Sequence, residues 1–91
     1  MIQKGSRGIL GLPTPAQLRA ARGLLGWSQT DLARSAGLSL PTVKRVEGEL
    51  DVSVSDQAKG KLRSALEAAG IVFIEENGGG PGVRLKKPRK S

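Results

Sequence analysis

Cysteine and histidine are both absent from this chain. Without thiols, neither a disulfide framework nor a thiolate zinc site can form, and a reducing compartment suits the chain. Losing histidine as well removes the commonest neutral metal ligand and the usual general base at neutral pH. Asp, Glu, Lys and Ser are then the only groups left for a catalytic scheme, so no catalytic residue, metal site or cofactor is expected. An enzyme would need a pocket with convergent ionisable groups to overcome this poverty. Aromatics are scarce too, with one Trp and one Phe, too few for the stacking platform that single-stranded nucleic acid requires. Long hydrophobic runs are missing. Lys4 and Arg7 precede an apolar stretch from Ile9 to Leu12 that Gly11 interrupts, far short of a signal-peptide core or a membrane span. A cytoplasmic protein without a membrane partner is expected.

Acidic residues are outnumbered, eight against fifteen Lys and Arg, which gives a net charge of +7 over 91 residues. Such a field attracts phosphate, anionic lipid or an acidic protein before any contact forms, and nucleic acid leads that group. The length suffices for one compact domain with a modest core. No internal repeat is visible.

Residues 1–12 carry Gly5, Gly8 and Gly11 among Lys4 and Arg7 without periodicity, and read as a flexible basic arm. Thr14 followed by Pro15 is an N-cap with proline at the first helical position, after which Leu18, Ala21, Leu24 and Leu25 recur at helical spacing up to Gly26. Ser28 with Asp31 forms a carboxylate version of the capping box, opening a short helix with Leu32, Ala33 and Ala36 inward and Gly37 as its stop. Ser39 caps a third helix that has Pro41 in its first turn, Val43 and Val46 on its inner face, and Gly48 at its end. Residues 49–54 read as a connecting loop. Ser55 then caps a fourth helix with the stripe Ala58, Leu62, Ala65, Leu66 and Ala69, interrupted by Gly60 and stopped by Gly70.

Beyond Gly70 the pattern changes from helical to extended. Ile71, Val72, Phe73 and Ile74 make a short β-branched and aromatic run, and Val83 with Leu85 makes a second one. The segment Asn77, Gly78, Gly79, Gly80, Pro81 and Gly82 between them lacks the GK[ST] ending of a phosphate cradle, so it is a hairpin loop. Glu75 and Glu76 are adjacent, point to opposite faces, and read as strand-end charges instead of an acid and base pair. The organisation expected is thus a basic arm at 1–12, a helical domain at 13–70, a β-hairpin at 71–87 and a basic tail at 88–91. A two-stranded ribbon is marginal alone. With one face on the fourth helix, the apolar set Ile71, Val72, Phe73, Ile74, Val83 and Leu85 is expected to form the interface of a homodimer.

The informative segment runs from Gln29 to Glu47. Two short helices joined by a tight turn need a glycine at the hinge, a small residue at the crossing and a few apolar anchors. Gly37, Ala33 and the set Leu32, Ala36, Leu38, Val43 and Val46 meet these demands. Residues 17–48, QLRAARGLLGWSQTDLARSAGLSLPTVKRVEG, resemble the helix-turn-helix of the phage-repressor (Cro/C1, XRE) family of regulators. The shared positions include Leu18, Ala21 and Arg22, then Trp27, Ser28 and Gln29, Leu32 with Ala33, Gly37, and Val43, Val46 and Glu47. The ending LRSALEAAGIVFIEENGGGPGVRL further resembles short bacterial proteins of this type that carry a C-terminal hairpin.

The resemblance implies a mainly α fold, a four- to five-helix DNA-binding domain followed by a β-hairpin. It implies a partner, double-stranded DNA, with the second helix of the motif in the major groove. The base-facing candidates are then Leu40, Pro41, Thr42, Lys44 and Arg45. Arg45 can fork onto guanine O6 and N7, Thr42 can offer a hydroxyl or a methyl, and Leu40 can touch a thymine methyl. Gln29, Ser28 and Ser39, at helix starts, are expected on the phosphate backbone. Lys87, at the end of the hairpin segment, belongs to a terminal basic cluster that reads either as a solvated end or as a further phosphate contact. Two positions depart from the familiar pattern. Leu40 and Pro41 stand where polar readers are often found, and Gly48 stands where Asn is common. Trp27, a lone aromatic outside a helix, is expected to cover the first helix and not to stack on bases. The function implied is a transcriptional regulator, a repressor, acting as a dimer on an inverted repeat. The alternative is an antitoxin that binds a partner toxin through its hairpin or tail and regulates its own promoter.

Overall fold

Each helix begins where a hydroxyl accepts a backbone N–H. In the computed structural model, which describes residues 11–48 and 54–86, Thr14, Ser28, Ser39 and Ser55 cap four helices. These are α1 (Pro15–Leu25), α2 (Gln29–Ala36), α3 (Leu40–Val46) and α4 (Asp56–Ala68). Two strands follow, β1 (Ile71–Ile74) and β2 (Gly82–Leu85), paired antiparallel. The fold is therefore mainly helical with a C-terminal hairpin. The expectations for residues 1–10, 49–53 and 87–91, Lys87 among them, lie outside the described residues.

The helix ends follow from glycine. Gly26 and Gly37 adopt left-handed φ values of 70° and 71°, which cost an L side chain strain that glycine avoids, and their amides turn back onto carbonyls of the last helical turn. Leu18, Leu32, Val43, Leu62 and Leu66 are wholly buried and form the centre of the core. Burying each such side chain is worth about 1.5–3 kcal/mol. Leu24 departs from its expected place. It keeps helical spacing with Leu18 and Ala21 yet is 44 % exposed, because the core-facing stripe runs from Leu18 and Ala21 to Leu25, and Leu24 lies to one side of it. Trp27 packs as a half-buried cover on the core, as its position outside a helix predicts.

α2 packs on both α3 and α4, whereas α1 lies against β2 and α4 against β1. The hairpin register sets Ile71 opposite Leu85 and Phe73 opposite Val83, so these pairs share one face, and Val72 and Ile74 occupy the other. β2 starts at Gly82, one residue before the expected run. Three polar contacts lock the hairpin to the helices. Gln17 Nε2 donates to the carbonyls of Ile74 and Gly82 at 3.2 and 2.9 Å. Arg63 lies 4.9 Å above the Phe73 ring centroid, a cation–π arrangement, and also donates to Glu67 at 2.9 Å and to the Gly11 carbonyl.

Candidate nucleic-acid interface

The geometry of α3 is set at both of its ends. At its start, Gly37 makes the left-handed turn after α2, the Leu38 amide donates to the Ala33 carbonyl at 2.9 Å, and Ser39 Oγ accepts the Thr42 amide at 3.2 Å. At its end, Glu47 is wholly buried. An acid is almost never fully buried unless it is paired, and this one is. Arg22 of α1 donates to it through two nitrogens, Nε to Oε2 at 2.8 Å and Nη2 to Oε1 at 3.0 Å. Gln29 at the start of α2 donates to Oε1 at 2.9 Å, and Arg19 donates to the Glu47 carbonyl oxygen. Arg22 Nη1 also donates to the Trp27 carbonyl at 3.1 Å. One carboxylate thereby ties together α1, the start of α2 and the end of α3. Gly48, just beyond, has a φ of 88°, which accounts for glycine at a position where Asn, the side chain most tolerant of this region, is otherwise common.

Val43 and Val46 hold the inner face of α3 in the core, and its opposite side meets solvent. Pro41 and Arg45 are exposed, while Leu40, Thr42 and Lys44 are half-buried. α3 carries two cations and no acid. The nearby acids are occupied: Glu47 lies beneath Arg22, and Asp31 accepts the Ser28 amide at 2.9 Å. That amide, then the Ser28 hydroxyl and Arg34, hold the Asp31 carboxyl below the usual carboxylate range. Lys44 and exposed Arg45 on α3, with Arg19 reaching the Glu47 carbonyl at its end, make a basic set suited to phosphate.

The structure brings the residues expected at bases, Leu40, Pro41, Thr42, Lys44 and Arg45, onto one short helix, with Ser28 and Ser39 exposed at the starts of α2 and α3. Gln29 stands at the α2 start as expected, but its amide also braces Glu47, a role that spacing alone does not reveal. The six residues expected at a dimer interface divide. Ile71 and Phe73, 2 % and 8 % exposed, pack in the protomer's own core. Val72 and Val83 are half-buried, and Ile74 and Leu85 are exposed. The residues missed were Gln17, Arg22 and Glu47 in their bracing roles. The Gln17 signal was present, since Thr14 and Gln17 have the spacing of a capping box and make both of its bonds, at 2.9 and 3.0 Å.

These features define the class, a small helical domain that holds one short basic helix outward. Residues 18–47 match the family model described as helix-turn-helix, so the stretch that builds α3 and its supports is a Cro/C1-type (XRE) helix-turn-helix, the DNA-binding element of transcription regulators. The match covers about a third of the chain and contains both α2 and α3. No curated protein matches. Among the described residues no helix is long and apolar enough to cross a membrane.

Proposed function

We propose that the protein is a sequence-specific, cytoplasmic transcriptional repressor that acts as a homodimer on an inverted repeat. The observation that carries this reading is the outward, acid-free face of α3, held from behind by the Arg22, Gln29 and Glu47 network. α3 enters the major groove with Leu40, Pro41, Thr42, Lys44 and Arg45 toward the bases, while Ser28, Gln29, Ser39 and Lys87 take the phosphates. Two copies related by a two-fold axis set their α3 helices about 34 Å apart, one turn of duplex. The hairpin leaves apolar surface for this assembly on both sides, exposed Ile74 with half-buried Val72 on one face and exposed Leu85 on the other. Occupying the site excludes other proteins from it, the simplest route to repression.

Selecting bound fragments from random duplex DNA tests the proposal. The expected consensus is palindromic, with half-site centres spaced by a whole number of turns, and recovery of unrelated sequences contradicts sequence-specific binding. The same exposed Ile74 and Leu85 also favour a second reading, an antitoxin whose hairpin covers a partner toxin while the helix-turn-helix represses its own promoter. A stoichiometric complex with the product of a neighbouring gene, lost on Ile74→Lys, distinguishes it from the homodimer.

A further inference from the structure

We propose that the first turn of α3 selects pyrimidines by their C5-methyl group, thymine above all, and not by a hydrogen-bond pattern. The inference rests on the reading of α3 as a major-groove helix and specifies the base feature that this helix takes.

Three observations point the same way. Pro41 is exposed, lacks a backbone N–H and has no polar side-chain atom. Leu40 is half-exposed and stands outside the cluster of side chains that builds the core. Thr42, the polar residue of this turn, has its hydroxyl 2.9 Å from that of Ser39, and Ser39 Oγ also accepts the Thr42 amide, so these groups serve one another within the cap. The turn therefore presents hydrocarbon at its surface.

Hydrocarbon against a base edge discriminates in two ways. A C5-methyl group gains a dry contact, whereas a cytosine amino group or a guanine carbonyl in the same place loses water with no replacement partner. Hydrogen-bonded reading falls to Arg45, one turn further along the exposed side, which can fork onto guanine. The half-site implied is a methyl-bearing pyrimidine step beside a guanine. 5-Methylcytosine carries the same methyl, so it is accepted better than cytosine at these positions.

The test uses the full chain and the duplex recovered by selection. Each thymine of the half-site is replaced in turn by deoxyuridine, which removes the methyl and leaves the hydrogen-bonding edge unchanged. Binding weakens about fourfold for each contacted methyl, the effect of one buried methyl-sized group. The Leu40→Asn, Pro41→Ser double variant, its helix content checked by circular dichroism, binds thymine and uracil duplexes equally. 7-Deazaguanine in the half-site weakens wild type and double variant alike, because Arg45 is intact in both. A half-site without thymine, or uracil substitutions that are silent throughout a site still preferred over random duplex, overturns the inference. Failure to prefer any duplex removes the major-groove reading itself, and this inference with it.

Discussion

α3 and the hairpin are both too short to stand alone, and they are anchored in opposite ways. A seven-residue helix is unstable in water, and so is an isolated pair of four-residue strands. The hairpin is held mainly by area: Ile71 and Phe73 go into the core, Arg63 covers the Phe73 ring, and Gln17 adds two hydrogen bonds at the loop end of the ladder. α3 has Val43 and Val46 as apolar anchors, but its end is set by a carboxylate that receives hydrogen bonds from two other helices. Apolar burial keeps an element near its neighbour and tolerates small rotations. Charge-assisted hydrogen bonds fix direction as well as distance. The difference fits the demands on each part, since a helix that must meet base edges needs its rotation fixed to a few tenths of an ångström, and a ribbon that completes a core does not.

Glu47→Ala attacks this comparison most severely. It leaves the Arg22 guanidinium without its carboxylate and is expected to cost about 3–5 kcal/mol in urea unfolding, with loss of DNA binding beyond the loss of folded protein. If stability falls while the remaining folded fraction binds DNA at full affinity, the network does not orient α3. Gln17→Ala is expected to cost about 1–3 kcal/mol, because it removes half of a capping box and strips a donor from two strand carbonyls. Its signature is regional: hydrogen exchange quickens in β1 and β2 while the amides of α2 and α3 keep their protection. Gly48→Ala should lower stability by about 1–2 kcal/mol through its left-handed backbone alone, since an added Cβ meets Pro15 at an ordinary 3.6 Å, and Gly48→Asn by less.

The smallest effect is that of pH. The Asp31 carboxyl is held below its ordinary range by the Ser28 amide, the Ser28 hydroxyl and Arg34. Its contribution is therefore present above the unfolded carboxylate pKa of about 3.9 and disappears as pH falls through the lower folded value. Thermal melts between neutral pH and pH 2 should show a shallower acid limb for Asp31→Asn than for wild type. Identical acid limbs contradict a role for this carboxylate at the α2 start.

Much of this architecture was legible because it is written within four residues. Thr14, Ser28, Ser39 and Ser55 announce helix starts through bonds that span three positions, and Gly26, Gly37 and Gly48 announce stops through their own backbone. The outward face of α3 followed from Val43 and Val46 pointing the other way. Long-range polar bonds were hidden. Nothing near Gln17 in the sequence points to the carbonyls of residues 74 and 82, and nothing near Glu47 points to an arginine 25 positions earlier. The hairpin was legible as an element but not as an interface, because Ile71, Val72, Phe73 and Ile74 are apolar on both faces and alternation cannot say which face turns inward. Leu24 shows the converse failure, since helical spacing admits both Leu24 and Leu25 and only Leu25 turns onto the core.

The most direct test of the central claim, that α3 reads bases through its exposed side, is the ratio of affinities of Arg45→Ala for a selected operator and for random duplex of equal length and salt. The account predicts a loss of about 1–3 kcal/mol on the operator with little change on random DNA. Equal losses on both would make Arg45 a phosphate contact and contradict the account.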